Sequence, residues 1–141
     1  MYATILFTTP GPYRRDLLIF LASVPELDVT ATVETAAELA TAVTVPTATA
    51  KLLILDYALL ATAVPLINAG LPGLRCLVLV ETFPQLQQAL AAGADCALLR
   101  GFSAAEFFIA LRSLPPATSF SSRTSAAIET AVKPTLQENQ K

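Results

Sequence analysis

The fold is decided by one stretch of the sequence, KLLILD, which covers Lys51–Asp56. Its apolar side chains follow one another without alternation, and the run ends abruptly at Asp56. A strand with one face in water alternates between apolar and polar residues, whereas a strand covered by helices on both faces reads as a continuous apolar run. KLLILD therefore predicts a central strand of a parallel sheet, with Asp56 at its carboxyl end.

Short strand-like runs alternate with helical patterns on both sides of this segment. The other predicted strands cover residues 3–7, 29–33, 75–80 and 96–99. Apolar residues alternate with Thr in 29–33, which predicts a strand near an edge with one face more exposed to water. Helices are predicted over residues 13–24, 35–43, 58–69, 84–92 and 104–114, the third of them cut by Pro65. Two capping boxes, Thr35 with Glu38 and Ser103 with Glu106, begin the second and fifth helices. Five alternating strands and helices predict a doubly wound α/β domain of the flavodoxin-like class, with right-handed crossovers.

Composition supports one core-rich domain and excludes several functions. The chain has 141 residues, of which 54% are hydrophobic and only 14% charged, against about 25% charged in an average domain. A net charge of −2 leaves no basic surface for nucleic acid, and the absence of His excludes His-dependent catalysis and His metal ligands. Residues 117–141 shift to Ser, Thr, Gln and Ala, which predicts a flexible tail after a domain spanning residues 1–116.

The sequence also indicates the compartment. The most apolar stretch, residues 52–67, is interrupted by Asp56 and Pro65 and is too short for a spanning helix. No positively charged segment precedes the first apolar run, as a signal peptide would require. Cys76 and Cys96 are expected to be small buried thiols, with a redox pair as the alternative. We therefore expect a cytoplasmic protein that does not enter a membrane.

The order of these elements and the residues at their ends resemble the CheY-like receiver domain of two-component response regulators. The resemblance rests on LLILD at 52–56, CLVLVET at 76–82 and, most specifically, ALAAGADCALLRGFSAAEFFIAL at 89–111. It implies a sheet of order 2-1-3-4-5 with five helices. It also places Asp56 at the phosphoacceptor position and Arg100 at the family's basic position, which is usually a lysine. Hydrophobic register places Glu81 at the switch position, and a one-residue bulge would place Thr82 there instead.

The departures from the family pattern concern its phosphorylation chemistry. The paired acidic residues that hold Mg²⁺ in the family are replaced by Thr8 and Thr9. Mg²⁺ is bound by oxygen ligands, usually carboxylates and waters, so we expect no cofactor and no specific metal at Asp56. Glu81 would repel a phosphoryl group, and arginine does not replace lysine like for like.

Three readings of the function follow. The first is a degenerate receiver, or pseudo-receiver, which signals by protein–protein contact and is not an enzyme. The alternative is a working receiver phosphorylated on Asp56, which could be a fragment of a transcriptional regulator. The third is a flavodoxin-like domain that binds a small molecule. It is the weakest interpretation, because the loop TTPGP at residues 8–12 has only one Gly, and its two Pro residues have no backbone N–H to donate to a phosphate.

The charged residues at the strand ends suggest what replaces the phosphoryl switch. Asp56 and Glu81 end neighbouring strands, which lie about 4.8 Å apart, so one long guanidinium can reach both carboxylates. We therefore predict that Arg100 forms an ion pair with Asp56, Glu81 or both and holds one conformation without phosphate. The alternative for Asp56 is an unpaired carboxylate facing solvent.

The partners are expected to be proteins, either a sensor kinase or an output protein, with no direct binding of nucleic acid. The resemblance implies a homodimer through the face formed by helix 4, strand 5 and helix 5. The apolar residues of the last predicted helix and the turn before it cover more than one side, so an exposed aromatic patch is expected if two aromatics lie outside the core. These residues are Phe102, Phe107, Phe108 and Leu111.

Overall fold

Five parallel strands and five helices alternate along the chain. The computed structural model describes residues 2–46 and 49–114. The strands are β1 Tyr2–Phe7, β2 Leu27–Val33, β3 Lys51–Asp56, β4 Leu74–Val80 and β5 Cys96–Leu99. The helices are α1 Pro12–Ala22, α2 Ala36–Thr44, α3 Leu60–Ile67, α4 Phe83–Ala91 and α5 Ala104–Arg112, and a 3-10 turn at Tyr57–Leu59 leads into α3.

The strands form one sheet of order β2-β1-β3-β4-β5, and every pairing is parallel. The predicted fold class and strand order are confirmed. The three inner strands are buried almost throughout, whereas β2 alternates between buried and wetter positions and β5 is half-buried along its length. The sequence pattern of KLLILD thus corresponds to a strand that is covered on both faces.

Helices cover the sheet on two sides, and each side has its own apolar cluster. One cluster joins α2, α3 and α4 to the sheet through residues such as Leu39, Ile67 and Ala89. The other joins α1 and α5 to the sheet through Leu21, Phe107 and Leu111. Each fully buried large side chain contributes roughly 1.5–3 kcal/mol of transfer free energy, so these two layers fix where the strand ends lie.

Local signals begin the helices where the sequence predicts them. Both capping boxes form, since Thr35 accepts from the Glu38 amide at 3.1 Å and Ser103 accepts from the Glu106 amide at 3.1 Å. Gly93 lies directly after the cap of α4 with φ +113°, a conformation that glycine adopts without strain.

The prediction that Pro65 cuts the third helix is wrong. Pro65 lies inside α3, which continues to Ile67. The proline removes one hydrogen bond to the carbonyl of Ala61, but both residues are exposed, so water can satisfy that carbonyl. Leu60, Ala63 and Ile67 anchor the opposite side of the helix in the core, and this packing outweighs the lost bond.

Several other expectations concern the ends of the chain and the cysteines. Cys76 has a buried side chain and Cys96 a half-buried one at the start of β5, and neither forms a disulfide with a described residue. Within residues 2–46 and 49–114, no helix is both long and apolar enough to cross a membrane. The predicted tail at 117–141 lies outside the described residues, so the domain boundary at residue 116 stays a prediction.

Candidate functional site

The predicted site residues meet at the carboxyl edge of the sheet. Asp56 ends β3, Glu81 follows β4 and Arg100 follows β5. Register brings these ends together, because Asp56 pairs with Leu79 and the Arg100 amide donates to the Val80 carbonyl at 2.8 Å. Thr8 follows β1, the other neighbour of β3, and is buried at the same edge. Backbone pairing therefore lines up Asp56, Glu81 and Arg100 at the ends of three successive strands of the sheet.

Arg100 forms the two ion pairs that the sequence predicts. Its Nη2 lies 2.9 Å from Asp56 Oδ1, and its Nη1 lies 3.5 Å from Glu81 Oε2. The Asp56 side chain is 3% exposed, so the solvent-facing alternative for this residue is wrong. The Glu81 side chain is 64% exposed, so water screens its pair. The contact with Asp56 therefore dominates, since a buried carboxylate without a counter-charge is strongly unfavourable.

The pair with Asp56 is a contact of charges more than a directed hydrogen bond. The two atoms are close, yet the guanidinium N–H is not aligned with Oδ1, which accepts no hydrogen bond from the described residues. The Thr8 hydroxyl and the Tyr13 hydroxyl are also buried and without a partner in the described part of the chain. Asp56 thus retains acceptor capacity that Arg100 does not use.

Tyr13 is a site residue that the sequence analysis missed. The Arg100 guanidinium carbon lies 4.3 Å from the centre of the Tyr13 ring, a cation–π geometry. Burial raises the pKa of the Tyr13 hydroxyl, the Arg100 charge lowers it and the Asp56 charge raises it, and the net direction is upward. Tyr13 is therefore a neutral phenol at neutral pH. The sequence signal that could have identified Tyr13 is its position in the first turn of α1, just after the loop that leaves β1 at the same edge.

Glu81 and Thr82 make different contacts at this edge. Glu81 reaches Arg100, as the hydrophobic register indicates. Thr82 is the N-cap of α4, and its hydroxyl accepts from the Gln85 amide at 3.3 Å. The Gln85 side chain in turn accepts from the Glu81 amide at 2.8 Å. The Thr82 hydroxyl therefore holds the start of α4.

Tyr57, the residue directly after Asp56, contacts α4. Its hydroxyl donates to Gln88 Oε1. A pocket of about 100 Å³ lies beside this link and beside Arg100, with Tyr57, Glu81 and Gln85 in its lining. Drug-sized ligands occupy pockets of roughly 300–1,000 Å³, so this space suits only water or a very small ligand.

The described donor set does not suit Mg²⁺. Asp56 is the one buried carboxylate at this edge, and its charge is compensated by Arg100. Thr8 is neutral, and Thr9 is exposed to solvent. Within residues 2–46 and 49–114, no group of three or more Cys, Asp or Glu side chains lies together in a way that could hold a metal ion. A divalent ion at Asp56 would add positive charge beside the guanidinium that already neutralises this carboxylate.

Comparison with known proteins agrees on the fold. No protein-family model matches the chain, and no curated protein matches it. Among solved structures it is similar to RcsB, a response regulator from Salmonella enterica serovar Typhimurium, solved bound to promoter rprA in the presence of the phosphomimetic BeF3-. The identity is 18%, the TM-score is 0.58, and the match covers 79% of this chain and 97% of that one. In its fold, this chain matches a receiver domain.

We expect Arg100→Ala to lower the free energy of unfolding by about 1–3 kcal/mol, because it leaves the buried Asp56 carboxylate without its counter-charge. Chemical denaturation of the full chain measures this loss. Double-mutant cycles with Asp56→Asn and with Glu81→Gln apportion it. We expect the coupling of Arg100 to Asp56 to exceed its coupling to Glu81, since Glu81 is mostly exposed.

A surface pair provides the matched control for these cycles. Arg14 Nη1 and Glu34 Oε2 are also 2.9 Å apart, but half of the Glu34 side chain is exposed. We expect Arg14→Ala combined with Glu34→Gln to give a coupling of at most about 1 kcal/mol. If the coupling of Arg100 to Asp56 is no larger than this value, the edge ion pair does not hold the site.

Proposed function

We propose that the chain is a cytoplasmic, non-enzymatic signalling module, a degenerate receiver domain that acts by protein–protein contact without Mg²⁺-dependent phosphorylation. The observation that carries this proposal is the 2.9 Å contact between Arg100 and the buried Asp56. The carboxylate at the phosphoacceptor position already has a permanent counter-ion within the chain, since arginine stays protonated at all physiological pH values.

The charges around Asp56 disfavour phosphoryl transfer in two ways. Transfer to a carboxylate depends on a metal that neutralises the developing charge, and the described donor set does not suit one. A phosphoryl group would also replace the single negative charge of Asp56 by about two charges beside Glu81, which shares the Arg100 guanidinium. The substitutions at positions 8, 9, 81 and 100 are consistent with one another, because together they replace a metal by an internal cation.

The proposal predicts that the full chain does not accept phosphate from acetyl phosphate in the presence of Mg²⁺. Intact-mass spectrometry should show no added phosphoryl group, while the receiver of a working response regulator treated in parallel gains one. Asp56→Asn is the matched variant. A phosphoryl group that appears on the wild-type chain and disappears in this variant would support the working receiver instead.

The surface proposed for protein contact is the one formed by α4, β5 and α5. Phe83, Leu86 and Leu90 follow the spacing of three and four residues that places them on one stripe of α4, and Phe83 is 68% exposed. Leu86 lines a pocket of about 360 Å³ that runs along β5. β5 is the last strand of the sheet, so its outer edge pairs with no described strand.

The last helix contributes less to this surface than the sequence analysis expects. Phe107 and Leu111 are buried, and Phe102 and Phe108 are half-buried among other aromatic rings. The exposed apolar residue of α5 is Ile109, at 66%. Exposed apolar side chains that gather on one face mark an interface more often than scattered ones do. We therefore propose that two copies of the chain meet through this face.

This interface predicts that Phe83→Ser and Leu90→Ser shift the chain towards the monomer. Sedimentation velocity over a range of protein concentrations measures the shift. Ile19→Ser is the matched control, because Ile19 is equally exposed but lies on α1, and we expect it to leave the association unchanged. A wild-type chain that is monomeric at every concentration would contradict the homodimer.

A further inference from the structure

A second concave site lies beside the ion pairs of Arg100, between α1 and the loop that joins β5 to α5 at the carboxyl edge. This groove has a volume of about 340 Å³, which falls at the lower end of the range of small-molecule sites. Its apolar lining comes from Leu17 and Phe20 on α1 and from Gly101, Phe102 and Ala104 on the other side. Tyr13 and Asp16 complete the lining.

Aromatic rings shape the groove. Phe20 and Phe102 pack edge to face with their centres 5.7 Å apart, and Phe107 supports both from the core at 5.1 Å and 5.7 Å. Phe20 and Phe102 are each half-buried, so part of each ring remains accessible. The rings are held in place by their packing, which gives an apolar molecule a preformed surface and lowers the entropic cost of its binding.

Asp16 supplies the only charge in the lining. It is exposed, and it forms no ion pair with any described residue. Its neighbours on the same helix face, three and four residues away, are Pro12, Tyr13, Ile19 and Phe20, none of which carries a positive charge. An uncompensated carboxylate beside aromatic rings attracts a cation by two mechanisms, since ring faces also bind positive charge.

We propose that this groove binds a small organic cation, a protonated amine attached to a compact apolar or aromatic body. The ammonium group pairs with Asp16, and the body packs on Phe20 and Phe102. An organic anion would face Asp16 with no cation in the lining to hold it, and a neutral apolar molecule would leave the carboxylate unused.

The groove is connected to the ion pair of Arg100 and Asp56 by Tyr13. Tyr13 lines the groove, and its ring lies 4.3 Å from the guanidinium carbon of Arg100. A molecule in the groove therefore touches the side chain that packs on the ion-paired arginine. Binding would supply an input to the site that requires neither metal nor phosphate.

The test uses the full, isotope-labelled chain titrated with 2-phenylethylammonium, with 2-phenylethanol as the neutral probe of matching shape. We expect the ammonium probe to cause saturable changes in the amide resonances of Phe20, Gly101, Phe102 and Ala104. Asp16→Asn should weaken its binding by about 1.4- to fivefold, because an exposed charge pair contributes about 0.2–1 kcal/mol. The neutral probe should bind the wild-type chain more weakly by a similar factor.

Asp28→Asn is the matched control, because Asp28 is an exposed aspartate on β2 that forms no ion pair with a described residue and should not affect binding. Four outcomes would overturn the proposal. They are the absence of saturable changes with the ammonium probe, equal binding of both probes, an Asp16→Asn effect no larger than that of Asp28→Asn, and changes confined to α4. Since none of these measurements involves phosphate or dimerisation, the result is independent of the proposed signalling function.

Discussion

A buried carboxylate at the end of the central strand constrains the rest of the carboxyl edge. Asp56 follows four apolar residues of β3 and is almost fully covered, so its charge must be compensated within the protein. Arg100 supplies that compensation from the end of β5, two strands away, where the pairing of β4 with β5 brings its backbone to Val80. The position of β5 and the loop after it is thus tied to the charge on β3.

This constraint extends to the start of α4. Glu81 adds a second, exposed carboxylate to Arg100, and the residues directly after it begin the helix. Thr82 caps α4, Gln85 returns to the Glu81 amide, and Tyr57 reaches Gln88 from the turn after Asp56. Every one of these contacts is made between the chain's own side chains and backbone. The start of α4 therefore has internal partners at this edge, while Phe83 and Leu90 of the same helix stay exposed.

The sequence was a good guide to those features that depend on neighbours in the chain or on strand order. KLLILD predicted a central strand, the capping boxes predicted two helix starts, and the alternation of elements predicted the sheet, all of which are confirmed. Strand order also sufficed for the pairs of Arg100 with Asp56 and Glu81, because parallel strands end at one edge. Residues whose roles depend on packing between distant helices were missed. Tyr13 reaches Arg100 across the edge, and Phe102 packs against α1. Pro65 is tolerated inside α3 because its outer side faces water. Local sequence patterns show none of these three features.

The central claim is that Arg100 holds the carboxyl edge in one conformation that phosphate does not control. Amide resonances of the full chain, recorded before and after addition of Mg²⁺ with the phosphomimetic BeF3-, test it most directly. The account predicts no saturable change at Glu81, Thr82, Gln85 or Arg100, because Asp56 is already paired with the guanidinium. Saturable changes at these amides that vanish in Asp56→Asn would contradict it, since they would show that a phosphoryl mimic displaces Arg100 and moves the start of α4.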